Sequence, residues 1–268
     1  MPPTLYLMRG SAPCRLVWLV SRLASENVKL VDVDLSKNEH KTPEYVKMNP
    51  RHCVPTLKDN RFVLTESRAI ANYLVSKYAS ADLAAKSPGI WGNLSAQEKA
   101  LVDEMLHYDI GTLYKRIGEW VYPQLFKGCP PDDEKLAMVH KSLQYLNGKV
   151  EEHKGGLCSA HLSLADMSVA CSLSMLDFFD DIDWSAYAFL DKWRTNIHAL
   201  SHWKKVNEAF EEWVLSKKGV KVVDLDEDDQ KDPTPTPSPK KKRKTRVRTK
   251  AKAPSSPKAK RGRKKKSN

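Results

Sequence analysis

No apolar run in this sequence approaches the roughly 20 residues that a membrane-spanning helix needs. Met1-Pro2-Pro3-Thr4 lacks the basic and apolar regions of a secretory leader, so none is expected. Cysteine is sparse. The five are Cys14, Cys53, Cys129, Cys158 and Cys171, an odd and scattered set with no C-x-x-C pair. That spacing speaks against a disulfide framework and a zinc ribbon, and reduced thiols inside a cell are expected. His198 and His202 stand four apart, a spacing that metals use, but no third ligand lies nearby. No metal site and no cofactor are expected.

Balanced charge is missing as well. The net charge is +12, yet residues 230–268 carry 17 Lys and Arg against a single acid, Asp232. Residues 1–229 are left at −4. A mildly acidic body and a polycationic tail are expected to do different work. The body, in a chain that is 41% hydrophobic, has enough apolar residues for a sizeable core.

In the body, Thr4 to Met8 is a short apolar run ended by Arg9-Gly10-Ser11, which reads as a buried strand. From Ala12, Leu16, Leu19, Val20 and Leu23 recur at helical spacing, and Pro13 falls in the first turn, where a missing N–H costs nothing. Leu30 to Asp34 alternates as a second strand. Thr42 to Met48 reads as a short helix stopped by Asn49-Pro50. Two strands flanking Asp59-Asn60-Arg61 read as a hairpin, and Ser67 to Tyr78 as a helix. The order is β-α-β-α-β-β-α. Helices are then predicted over 96–121, 132–153, 164–179, 191–196 and 203–215. Ser163-Leu164-Ala165-Asp166 matches a capping box at the third of these. The expected domains are an α/β unit at 1–80, a linker at 81–91, an all-helical unit at 92–219 and a tail at 220–268.

The tail opens with an acidic knot (Asp224, Asp226, Glu227, Asp228, Asp229). Prolines alternating with Thr and Ser follow, then mostly Lys, Arg, Ala and Ser. Such a composition buries too little apolar surface to offset chain entropy, so disorder is expected. Lys240, Lys241, Lys242, Arg243 and Lys244 form a strip that resembles a monopartite nuclear localisation signal read by an importin. A second cluster around Arg261-Gly262-Arg263 resembles a minor-groove AT-hook without its flanking prolines. Nonspecific nucleic-acid binding, falling steeply with salt, is a second use of such a tail. Thr234, Thr236, Ser238 and Ser256 precede proline, and phosphorylation there would reduce the tail's positive charge. Nuclear and cytoplasmic residence is expected.

The α/β order is that of the thioredoxin-like pattern, and its helical continuation resembles the glutathione transferases. Four segments in the right order resemble the invertebrate delta and epsilon classes, which are theta-related: Ser11-Ala12-Pro13-Cys14-Arg15, Asn49 to Leu57, Glu66 to Ile70, and Asp109-Ile110-Gly111-Thr112-Leu113-Tyr114. The resemblance spans roughly residues 4 to 215. It implies a glutathione site on the first domain, a small hydrophobic electrophile held against the helical domain, glutathione as co-substrate, detoxification chemistry and a homodimer.

Thiolate is the nucleophilic form of a thiol whose ordinary pKa is about 8.5. Ser11 lies at the turn into the first helix, where a hydroxyl and free N–H groups can stabilise a thiolate. From the position alone a plain helix-capping serine is the stronger reading, and the two readings are compatible. The resemblance implies the catalytic role. It also implies that Pro55 is cis, which sequence alone would make trans, and that Val54 offers its backbone to the tripeptide. Glu66 and Ser67 suit either a γ-glutamyl group or a helix cap, and Arg68 either joins them or faces solvent or a partner. His40, His52 and Cys53 fall at the family's glutathione positions. An aromatic stripe at helical spacing is more often core, but the resemblance points to Tyr108, Tyr114 and Ile117 as pocket walls, with Phe210 as a lid. Trp120 shares their spacing. Ser11 in place of a first cysteine removes dithiol exchange, and Cys14 is expected to be buried and inert. A non-catalytic dimerising platform for the tail is the rival reading, although a scaffold has no need of Ser11, Glu66 and Ser67. Glutathione-dependent isomerisation or peroxide reduction stays open.

Overall fold

The computed structural model describes residues 2–24 and 28–218. The acidic knot, the proline-rich stretch and Lys240 to Lys244 lie outside the described residues.

Strand β1 (Thr4–Leu7) alternates half-buried and buried positions, with Leu5 and Leu7 fully inside. Helix α1 (Ala12–Leu23) follows the tight turn. β2 (Lys29–Asp32) pairs parallel to β1, with Leu5 opposite Leu30. Helix α2 (Pro43–Met48) leads to the hairpin of β3 (Thr56–Asp59) and β4 (Phe62–Thr65), where Asn60 takes the left-handed turn conformation at φ 56°. β3 runs antiparallel to β1, so the sheet order is β2-β1-β3-β4. Helix α3 (Ser67–Tyr78) closes this half. It is pinned to the hairpin by Asp59, which accepts from the Tyr73 hydroxyl at 2.6 Å and from Lys77.

Residues 81–91, expected as a plain linker, carry two short helices, α4 (Ala81–Lys86) and α5 (Pro88–Trp91). The Ser80 hydroxyl accepts from the Leu83 N–H at 3.2 Å, and Pro88 opens the second helix. Ile90 and Trp91 are buried, which anchors the segment to the core.

The helix expected over 96–121 is two helices. α6 (Ala96–Tyr108) starts on a Ser95–Glu98 capping box. A π-helical turn at Asp109–Leu113 separates it from α7 (Tyr114–Lys127), which runs on past Pro123. Such turns add a residue to the helix and shift the faces on either side. α8 (Asp133–His153), α9 (Leu164–Leu173), α10 (Ala188–His198) and α11 (Trp203–Lys217) follow. After α9 the chain continues as a 3-10 turn at Ser174–Phe178 rather than as α-helix to 179.

Every residue of α9 is buried, because α1, α6, α7 and α10 surround it. Its start is the capping box read from the sequence: the Asp166 carboxylate accepts from the Ser163 N–H (2.7 Å) and hydroxyl (2.6 Å). It also accepts from the Leu157 N–H (2.8 Å) and the Trp193 indole (2.7 Å). The two halves are joined by Arg15. Its guanidinium lies 3.7 Å from the Phe210 ring centroid and donates to Asn207, to the Ser174 hydroxyl (2.8 Å) and to the Cys171 carbonyl (3.2 Å).

Candidate active site

The turn from β1 into α1 places Ser11 at the helix start without using its hydroxyl as a cap. Its backbone N–H donates to the Met8 carbonyl at 3.0 Å and its carbonyl accepts from Arg15 at 2.9 Å. The hydroxyl is thus not spent on the helix end, and it hydrogen-bonds the Cys14 thiol one turn on. Ser11 lines a cleft of about 490 Å³ that also takes in Gly10, His40, His52, Cys53 and Val54. Cys14, one turn in, is fully buried. Burial pushes its thiol up to about 11, against the smaller opposing pull of hydrogen bonds from Met8 and Ser11, so it is a protonated thiol at neutral pH.

The polar side of the cleft is built by a loop held from behind. The Cys53 carbonyl accepts from Tyr45 Oη (2.8 Å), Asn49 Nδ2 (2.9 Å) and Thr56 Oγ1 (3.1 Å). The next peptide, Val54–Pro55, is cis. The Val54 N–H and carbonyl have no hydrogen-bond partner among the described residues. Exposed backbone of this kind pairs with an incoming peptide. His52 sits at φ 43°, and the His40 and His52 rings lie 6.1 Å apart between centroids. His40 Nδ1 is buried without a partner among the described residues.

Pro55, Glu66, Ser67 and Arg68 do not line this cleft. Pro55 is buried behind the loop. Glu66, at φ 69°, begins α3 and pairs with Arg51 on the exposed surface beside His52. Ser67 is buried and accepts from Arg68 Nη1 at 3.0 Å. Arg68 faces neither solvent nor an open site. Its guanidinium is spent on the fully buried Asp109 of the π-helical turn, which also accepts from Ser168 Oγ at 2.5 Å. Arg68 thus holds Ser67 and clamps α3 to the helical half.

The apolar wall differs most from expectation. Tyr114 lines the cleft, together with Tyr122, Phe126, Met175 and Trp213 from the helical half and Met8 and Leu35 from the first. Tyr108 is elsewhere, packed 4.7 Å from the Tyr145 ring of α8. Ile117 and Trp120 are core residues. Phe210 is no lid: it is fully buried beneath Arg15, and Trp213 takes the position facing the cleft, 5.8 Å from Phe126. The missed signal was a spacing of four. Tyr114, Gly118, Tyr122 and Phe126 form one i, i+4 row on α7, while Ile117, Trp120 and Val121 form the inward stripe. Tyr114 and Tyr122 hydroxyls meet at 2.9 Å. Burial, then the neighbouring Tyr122, raises the Tyr114 pKa, so this phenol is a neutral hydrogen-bonding group.

The arrangement is an amphipathic cleft between two halves. A hydroxyl and free backbone lie on one side, and an aromatic wall lies on the other. No group of three or more metal-binding side chains occurs among the described residues.

A family description, glutathione S-transferase, N-terminal domain, matches residues 1–76. Similar solved structures include the Bombyx mori glutathione transferase BmGSTD1, at 30% identity and TM-score 0.74, over 81% of this chain and 98% of that one. A Nilaparvata lugens delta-class glutathione transferase matches at 34% identity and TM-score 0.72, over 81% and 100%. A Drosophila mojavensis glutathione transferase homolog with bound glutathione matches at 25% identity and TM-score 0.71, over 81% and 97%.

Proposed function

From the premise that this chain belongs to the glutathione transferase family, with insect delta- and epsilon-class enzymes among its structural neighbours, we propose that it conjugates reduced glutathione to small hydrophobic electrophiles, with Ser11 as the thiolate-stabilising residue. The observation that carries the reading is the Ser11 hydroxyl, unused as a cap, on a cleft shared with the unpaired Val54 backbone. Val54 pairs with the cysteinyl part of the tripeptide, and His40, His52 and Cys53 flank its glycyl end. Glu66, exposed at the start of α3 beyond the lined cleft, receives the γ-glutamyl end, while Ser67 and Arg68 hold that helix start in place.

Ser11 donates to the sulfur once the thiol proton has left to solvent. The thiolate electron pair then forms a bond to the electrophilic carbon. A leaving group departs with its own pair, or a double bond shifts its pair to oxygen and takes up a proton from water. The apolar wall excludes water and orients the electrophile. Glutathione-dependent turnover by the purified full chain tests this reading, and the absence of any Ser11-dependent conjugation overturns it.

The exposed Phe62 and Leu101 offer apolar surface for a homodimer. Light scattering should return twice the 30.4 kDa chain mass, and a monomer at micromolar concentration refutes the pairing.

The reading of the tail rests on sequence. We propose that Lys240 to Lys244 engage an importin and divide the protein between nucleus and cytoplasm. In cells, a fluorescent fusion of the full chain should concentrate in nuclei. Replacing all five by alanine should abolish that concentration; unchanged nuclear accumulation sinks the idea.

A further inference from the structure

The turn that carries Ser11 is held at its corner by a side chain that stays out of the cleft. The Ser11 N–H donates to the Met8 carbonyl at 3.0 Å, so Arg9 and Gly10 are the two central residues of a β-turn between β1 and α1. Met8, Gly10 and Ser11 line the cleft, and Arg9 does not. Its side chain goes instead to Asp32, the last residue of β2. Arg9 Nε donates to Asp32 Oδ1 and Nη2 donates to Oδ2, both at 2.8 Å. The guanidinium carbon also lies 5.0 Å from the ring centroid of Trp18, a buried residue of α1. One planar group thus ties the turn to the edge strand of the sheet and to the helix that follows it.

The backbone does not make this tie. The Leu7 carbonyl accepts from the Val33 N–H at 2.8 Å, and beyond it no backbone hydrogen bond among the described residues joins the turn to β2. A two-point fork on a carboxylate fixes orientation as well as distance. Both side chains are partly exposed, Arg9 at 37% and Asp32 at 58%. A pair so placed adds little to stability. Its effect is on where the turn stands, and the placement of a group beside a reacting atom counts for far more in rate than such a pair does in folding.

We propose, as an inference resting on the transferase reading above, that Arg9 and Asp32 are positioning residues for Ser11. Their fork sets the turn so that the Ser11 hydroxyl meets the thiolate of bound glutathione, and neither side chain touches substrate. Arg9 has a second way to act, through its charge, and the two ways differ in sign at Asp32. Removing that carboxylate frees a cation two residues from Ser11. By charge alone this stabilises the thiolate further. By position it loosens the turn and stabilises the thiolate less.

The test is the ultraviolet titration of glutathione bound to the full chain, with kcat/KM for an activated aryl chloride measured in parallel. Arg9→Ala, Arg9→Lys and Asp32→Asn should each raise the titration midpoint of the bound thiol by about half a pH unit, part of the rise expected when the hydroxyl itself is removed. Each should lower kcat/KM about ten-fold, less than a full ångström of misplacement costs. Lysine keeps the charge without the fork, so it does not rescue. Melting temperatures should stay within about a degree or two of the wild type, as for an exposed pair. On a Ser11→Ala background the same changes should do nothing more, because they act through that hydroxyl. A lowered midpoint in Asp32→Asn, full activity in Arg9→Lys, or a loss that persists on the Ser11→Ala background overturns the inference. If Ser11→Ala itself leaves the bound thiol unshifted, the transferase reading fails and this inference with it. A shift in Ser11→Ala with none in Arg9→Ala removes the positioning role alone.

Discussion

Replacing Ser11 by alanine should lower kcat/KM for conjugation by about two orders of magnitude near neutral pH, the usual cost of removing one donor aimed at developing or resident negative charge. The loss should depend on pH in a set direction. A free thiol of pKa about 8.5 is mostly protonated at neutral pH, and a donated hydrogen bond together with a helix N-terminus favours its anion. Without the hydroxyl, the bound thiol titrates about a unit or more higher. The deficit is then greatest at low pH and narrows as alkali ionises the thiol in both proteins. The ultraviolet absorbance of bound thiolate, followed across pH, reads this directly. Stability supplies the second readout. Because the Ser11 side chain makes no capping bond, the variant should melt within a degree or two of the wild type, whereas loss of a true cap costs about 1 kcal/mol. An unshifted pH profile with a lowered melting temperature would return Ser11 to a structural role.

Asp166→Ala should be the most damaging single change to stability. Four donors converge on this fully buried carboxylate from three segments: Ser163 with its N–H and hydroxyl, the Leu157 N–H, and the Trp193 indole of α10. Alanine strands all four inside the core. Breaking a buried charged network by removing one member costs about 3–5 kcal/mol, which for a body of this size lowers the melting temperature by roughly 10 °C or more. Asp166→Asn keeps the shape but turns an N–H₂ toward groups that are themselves donors, so it should recover only part of the loss. Scanning calorimetry of the three proteins gives the order wild type, asparagine, alanine. A shift of a degree or two for alanine would mean that water or repacking satisfies the four donors.

Local chemistry by itself settled a large share of this protein. The β-α-β-α-β-β-α order, the helical second half and the Ser163–Asp166 start of α9 all follow from period, turn residues and capping, each of which acts within a few residues along the chain. Ser11 at the β1–α1 turn follows the same way, as does the charge asymmetry between body and tail. Which neighbours meet across space was decided by the tertiary structure. Periodicity names the apolar residues of α7 but does not say that the Tyr114–Tyr122–Phe126 row faces the cleft while Ile117 and Trp120 fill the core. Phe210 and Trp213 lie three apart on α11, so spacing alone does not show which faces the cleft; the buried guanidinium of Arg15, arriving from the other half, claims Phe210 and leaves Trp213 to the cleft. Arg68 was free to serve a ligand until the π-helical turn brought Asp109 against it. The cleft draws its walls from residues as far apart as Met8 and Trp213, and only packing brings such segments together.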